Sequence, residues 1–65
     1  MHDISFILNQ HDIDLIRFCI AKESFDAASY FLDRSYIPEL ITPKQRDDLT
    51  VLRIELADAI SRSKQ

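Results

Sequence analysis

The chain has 65 residues, a formal net charge of −3, 46% hydrophobic residues, one cysteine and no glycine. This length allows one domain, taken as 1–65, and a single cysteine excludes an intrachain disulfide. The negative charge disfavours nucleic acid as a partner, because phosphate binding needs Lys and Arg to replace counterions. Apolar runs are far shorter than a membrane span of about 20 residues. A lone cysteine and no signal-peptide pattern predict a cytoplasmic protein.

The absence of glycine predicts an all-α fold, either a small helical hairpin or a three-helix arrangement with a long C-terminal helix. Glycine is the usual residue for positive φ in tight hairpins and at helix ends. A chain without it is therefore expected to join its helices through loops that avoid left-handed backbone geometry.

The N-terminal half is expected to contain two helical segments. Residues 3–8 are expected to form one or two turns capped by Asp3. The segment 10–34 keeps one apolar face in register, formed by Ile13, Ile16, Ile20, Ser24, Ala27 and Phe31. This pattern fits one continuous helix, or two helices broken near 23–25 with Ser24 capping the second. The break is favoured because two shorter helices make a more compact monomer.

The C-terminal helix is predicted over 43–63. Thr42 and Gln45 form a capping-box pattern, and Pro43 suits the first helical position. One face collects Leu49, Leu52, Leu56, Ala59, Ile60 and Ser63. Val51 and Ile54 do not fit this face and project among charged residues. The connection 35–42 carries Tyr36 and other apolar side chains, so it is expected to pack against the core.

The sequence predicts no catalytic, metal or cofactor site. His11 and Asp14 share the spacing of one helix face with Asp12 nearby, but two ligands do not make a metal site. Cys19 lies among apolar residues, where a thiol is inert and buried. The carboxylate pairs on the helices are spaced so that they do not converge, and without glycine there is no phosphate-binding loop.

We therefore expect a non-enzymatic regulator that binds a larger protein as an inhibitor or adaptor, as a homodimer. Apolar residues outside the core faces indicate a second contact surface. The residues expected to form this protein interface are Val51, Ile54, Phe18, Phe25 and Tyr36.

The alternative is a small DNA-binding regulator that uses Lys44, Arg46 and Arg53 at the start of the last helix. Acidic residues alternate with these basic residues, which indicates ion pairs along the helix. The expected pairs are Asp48–Arg53 and Glu55–Arg62. A related possibility is an acidic surface that mimics nucleic acid.

Overall fold

The computed structural model describes residues 5–64, which form three α-helices. Helix α1 spans Gln10–Ala21, helix α2 spans Phe25–Leu32, and helix α3 spans Pro43–Ser63, with a short 3₁₀ turn at Pro38–Leu40 before it. The predicted all-α, three-helix arrangement with a long C-terminal helix is confirmed.

Helices α1 and α3 each begin at a capping box, which the sequence analysis predicts for α3. The Asn9 side chain accepts a hydrogen bond from Asp12 N at 3.0 Å, and the Asp12 carboxylate accepts one from Asn9 N at 3.2 Å. Thr42 and Gln45 make the same reciprocal pair at the start of α3, at 3.1 and 3.0 Å. These bonds satisfy amide groups that have no partner inside the helix.

The structure has the break near 23–25, but its geometry differs from the prediction. Glu23 adopts φ 61°, so the loop does enter the left-handed region in spite of the missing glycine. This conformation lets Ser24 N donate to Cys19 O at 2.8 Å, which closes the end of α1. The left-handed backbone costs a residue with a Cβ roughly 1–2 kcal/mol. Ser24 stands at the N-cap of α2 as predicted, but its side chain makes no cap hydrogen bond.

The break also changes which face of α2 is buried. A continuous helix would bury Ala27 and Phe31, whereas the structure buries Ala28 and Leu32 and leaves the first two partly exposed. The predicted core face is therefore correct for Ile13 and Ile16 in α1, Ile20 packs partly buried against the core, and the buried positions of α2 lie one residue after the predicted ones. The three residues between the helices reset the helical phase, which periodicity alone does not reveal.

The N-terminal segment is extended where a short helix was predicted. Over 5–8 the prediction of helix for 3–8 is wrong, while residues 3–4 lie outside the described part of the chain. Phe6 forms an isolated parallel bridge with Tyr36: Phe6 N donates to Ser35 O at 2.8 Å, and Ile37 N donates to Phe6 O at 3.0 Å. The connection before α3 thus provides backbone hydrogen-bond partners for Phe6, which favour an extended segment over a single helical turn.

The helices enclose one small core. Its fully buried large side chains are Ile13, Ile16 and Leu52. The other buried core residues are Leu8, Cys19, Ala28, Leu32 and Leu56.

Both α2 and α3 contact α1, and α2 also contacts α3. The start of α3 bonds to Leu8 through Gln45 Nε2, while its end borders a groove with the end of α1. Helices α1 and α3 therefore run in the same general direction. Helix α2 runs back, because its start at Phe25 lies beside Ala59 near the end of α3 and its end at Leu32 accepts a hydrogen bond from Arg53.

Candidate protein-binding surface

Helix α3 carries two apolar side chains on the side that points away from the core. Its opposite side is buried through Leu52 and Leu56. Val51 is 51% exposed and Ile54 is 65% exposed. Residues three apart lie on the same side of a helix, so these two side chains form one apolar patch. The sequence-based prediction that they project from the far side of the helix is confirmed.

Ala57 extends the patch towards helix α2. It is exposed and lies one turn after Ile54. We call Val51, Ile54 and Ala57 together the α3 outer face. Ala57 also lines a mainly apolar groove of about 190 Å³ between α2 and α3. The other residues of the groove are Ser29, Leu32, Asp33, Arg53, Leu56 and Ile60.

Carboxylates border the α3 outer face on one side. Asp47 and Glu55 lie one turn before and one turn after Val51, and Asp58 lies one turn after Ile54. Asp58 pairs with Arg62 at 2.8 Å. Within residues 5–64, Asp47 and Glu55 have no ion-pair partner within 4.0 Å. Arg53 lies one turn before Ala57, so the charges around this apolar patch are mixed, acidic on one side and basic on the other.

The other predicted interface residues do not join the α3 outer face. Phe18 is 58% exposed, but it lies on the side of α1 opposite the buried Ile16, with Lys22 Nζ 5.8 Å from its ring centroid. Phe25 and Tyr36 are partly buried and pack against the core. Their apolar surface is explained by the fold, because the break between α1 and α2 and the bridge to Phe6 turn these two rings inwards.

Tyr36 has a defined structural role. Its hydroxyl donates to Phe31 O at 2.8 Å, near the carboxyl end of α2. Burial raises the pKa of the Tyr36 hydroxyl above its ordinary value of 10.0, the charge of Asp12 raises it further, and Arg34 opposes both effects. Because the folded protein disfavours the phenolate, the stabilisation is complete below pH 10 and is lost as pH rises through the raised pKa.

We expect Tyr36→Phe to lower the free energy of unfolding at pH 7 by about 0.5–1.5 kcal/mol, the worth of one hydrogen bond. Above pH 10 the difference between wild type and variant should shrink, because the wild-type hydroxyl ionises on unfolding. Urea unfolding from pH 7 to 11 measures this difference. Tyr30→Phe is the matched control, since Tyr30 is 60% exposed. A difference that stays constant over this range would contradict the assignment.

Arg34 forms a contact that the sequence analysis missed. Its guanidinium carbon lies 4.1 Å from the ring centroid of Phe6, 4.8 Å from Phe31 and 5.4 Å from Tyr30. Its Nε is buried and has no hydrogen-bond partner within residues 5–64. The aromatic residues stand at 6, 30 and 31 in the sequence, so only the fold of the N-terminal segment over α2 brings them to one cation.

The basic side chains expected to bind DNA in the alternative prediction largely contact other groups of the protein. Lys44 Nζ lies 3.3 Å from Asp48, and Arg53 donates to Leu32 O at 2.7 Å and to Asp33 at 3.2 Å. Arg46 is exposed. Arg53 thus satisfies the carboxyl end of α2, where helix carbonyls lack partners. The structure therefore gives this alternative no continuous basic surface on the described part of α3.

The predicted ion pairs Asp48–Arg53 and Glu55–Arg62 are wrong. Residues five or seven apart do not face each other at contact distance on a helix, whereas residues four apart do. The observed pairs on α3 are accordingly Lys44–Asp48 and Asp58–Arg62.

The acidic residues considered as metal ligands serve the first turns of α1. Asp12 completes the cap, and Asp14 accepts a hydrogen bond from Gln10 at 3.1 Å and lies 3.5 Å from Arg17. Among residues 5–64, His, Cys, Asp and Glu side chains nowhere gather in a group of three that could hold a metal ion. Over the same range, no helix combines the length and the apolar composition that a membrane crossing requires.

The fold and this surface define a small three-helix protein with an exposed apolar patch on its longest helix. Comparison of the chain with protein-family models, curated proteins and solved structures gives no match.

Proposed function

We propose that this protein is a non-enzymatic regulator that binds a larger protein through the α3 outer face, as an inhibitor or adaptor. The observation that carries the proposal is the exposure of Val51 and Ile54 on a helix whose other side is already committed to the core. Apolar side chains placed together on a surface are typical of sites for partners. A helix face presented in this way suits contact with a groove or a second helix.

The homodimer predicted from the sequence would need more contact than this face offers. Full burial of a Val or Ile side chain is worth about 1.5–3 kcal/mol. Two copies paired through Val51 and Ile54 would bury four side chains that are already partly covered, for about 3–7 kcal/mol in total. Association costs about 4–15 kcal/mol in lost translational and rotational freedom. A larger partner that supplies its own apolar residues is therefore the stronger proposal.

Photo-crosslinking in the cells that produce the protein tests the binding face. With a photo-reactive amino acid in place of Ile54, we expect a discrete adduct with one larger protein. The same amino acid in place of Ile7, which is 61% exposed on the N-terminal segment, is the matched control and should give no such adduct. An adduct of twice the chain mass would instead indicate a homodimer. Equal labelling from both positions would contradict the proposed face.

Aspartate substitutions provide an independent check. Val51→Asp and Ile54→Asp should leave helicity unchanged, as measured by circular dichroism, because exposed substitutions rarely change stability by more than about 0.5 kcal/mol. Added in excess, the purified wild-type protein should compete for the partner and reduce the yield of the Ile54 crosslink. Neither aspartate variant should reduce it. Unfolding of both variants would show that these side chains are part of a core and would contradict the proposal.

A further inference from the structure

The hinge between α1 and α2 is short and strained. Only Lys22, Glu23 and Ser24 separate the two helices, and Glu23 holds φ 61°, a conformation that its Cβ disfavours. None of the three residues is glycine or proline, and lysine and glutamate are good helix formers. Short hinge loops under strain are the places where proteins exchange structural elements between copies.

The sequence on both sides of the hinge also fits one uninterrupted helix. If residues 22–24 took helical dihedrals, the first amides of α2 would find carbonyl partners in the turn before them, whereas Ser24 now gives them no side-chain bond. Ile20, Ala27 and Phe31 would then form one apolar stripe. In the monomer these three side chains are only partly buried, because the break turns a different side of α2 towards the core.

One copy of the chain cannot straighten its hinge and keep its core. Helix α1 contacts both α2 and α3, and these contacts need the chain to fold back at the hinge. A straight helix would carry α1 away from both and expose Ile13 and Ile16, which are fully buried. A second copy opened in the same way presents the same surfaces, so two chains can restore these contacts by exchange.

We propose that this chain forms a domain-swapped dimer, in which residues 22–24 become helical and residues 5–21 of each copy pack on residues 25–63 of the other. The exchange keeps the contacts of the core and removes the left-handed backbone at Glu23 from both copies. The apolar stripe that runs through the straightened hinge provides additional surface for contact between the two long helices. The monomer prevails at low chain concentration and the dimer at high concentration.

The extended N-terminal segment moves together with α1. Phe6 of one copy then forms its bridge with Tyr36 of the other, and Leu8 O accepts the hydrogen bond from Gln45 of the other copy. Each of these contacts exists within the monomer, so the exchange needs no new recognition between the copies. The backbone changes only at the hinge.

The exchange leaves the α3 outer face free. Val51 and Ile54 lie on the side of α3 that points away from the core, so the dimer presents two such faces and the monomer one. A partner with two sites would bind the dimer more tightly, because the second contact forms at high effective concentration. The inference itself concerns the hinge and does not depend on the proposed function, which the Ile54 crosslink tests separately.

Glu23→Gly and Glu23→Ala are matched variants that move the equilibrium in different directions. Glycine adopts the left-handed conformation freely and weakens a helix, so it favours the broken monomer. Alanine keeps the Cβ and is the best helix former, so it favours the straight hinge. An effect of about tenfold for each hinge becomes about a hundredfold for a dimer with two hinges. We expect Glu23→Gly to raise the dissociation constant of the dimer by about this factor and Glu23→Ala to leave it no higher than in wild type.

Light scattering over a concentration series measures these dissociation constants. Each protein is first refolded from urea at chain concentrations up to about millimolar, so that slow opening of the monomer does not limit the exchange. Wild type that stays monomeric over the whole series would overturn the proposal. Equal dissociation constants for Glu23→Gly and Glu23→Ala would overturn it as well.

Isotope-filtered NMR identifies which contacts join the copies. Labelled and unlabelled chains are refolded together, and we expect backbone NOEs between Phe6 of a labelled copy and Tyr36 of an unlabelled copy. A dimer formed through the α3 outer face would instead give contacts between copies at Val51 and Ile54, with the Phe6 bridge kept inside each chain. That result would contradict the exchange.

Discussion

Leu52→Ala is expected to remove much of the stability of this protein. Leu52 is 0% exposed and lies in the middle of α3, where α3 packs on the core residues of α1. Truncation of a buried leucine costs about 2–5 kcal/mol, since it loses transfer free energy and leaves a cavity. A chain of 65 residues has a total stability of roughly 3–10 kcal/mol, so the variant is expected to be partly or wholly unfolded at 37 °C.

Thermal unfolding followed by circular dichroism measures this effect. For a domain of this size each kcal/mol shifts Tm by about 4–8 °C, so a loss of about 2–5 kcal/mol in Leu52→Ala should lower Tm by about 8–40 °C. Val51→Ala on the same helix turn is the control. Because Val51 is 51% exposed, its truncation should change stability by only about 0.5 kcal/mol. A loss for Val51→Ala as large as that for Leu52→Ala would show that the α3 outer face is buried in an assembly.

Arg34→Ala is expected to release the N-terminal segment from helix α2. The guanidinium holds the Phe6 ring at 4.1 Å and contacts two rings of α2 as well. Each cation–π contact is worth about 0.5–2 kcal/mol. The buried Nε has no partner within residues 5–64, and such a group costs about 1–3 kcal/mol. The net electrostatic gain is therefore small, and the main loss on truncation is the packing of the long side chain between the rings.

Hydrogen exchange of the Ile37 amide gives a local measurement, because Ile37 N donates to Phe6 O only while the segment is docked. Arg34→Ala should speed this exchange about tenfold or more, which corresponds to about 1.4 kcal/mol of local opening. Exchange in the middle of α3 should change less. Arg34→Met is the matched control, since it keeps most of the apolar contact without the charge and should lie near wild type. Equal acceleration in both variants would show that the cation–π contacts dominate instead.

The helices and their starts could be predicted from short stretches of sequence. The capping boxes of α1 and α3 depend on residues three positions apart, Asn9 with Asp12 and Thr42 with Gln45. The exposure of Val51 and Ile54 followed from helical periodicity alone, because no segment within residues 5–64 covers that side of α3. The candidate binding face is thus largely a property of local sequence.

Contacts between distant segments could not be predicted in this way. The sequence offers Arg53 several carboxylates on its own helix, yet its partners are Asp33 and Leu32 O, about twenty residues away. The Arg34 cluster and the bridge between Phe6 and Tyr36 likewise depend on where the extended segment 5–8 lies. Phe25 and Tyr36 pack against a core whose residues are mostly distant from them in sequence, so periodicity does not predict their burial.

The sequence by itself determined the all-α class, the bounds of α3 and the face that α3 leaves exposed, since helix propensity, capping and periodicity act over one to a few turns. The tertiary structure decided the phase of α2, the extended N-terminal segment and the partners of Arg34, Arg53 and Tyr36. The reset of phase depends on Glu23, where a left-handed residue other than glycine is tolerated because burial of Ala28 and Leu32 outweighs its backbone cost.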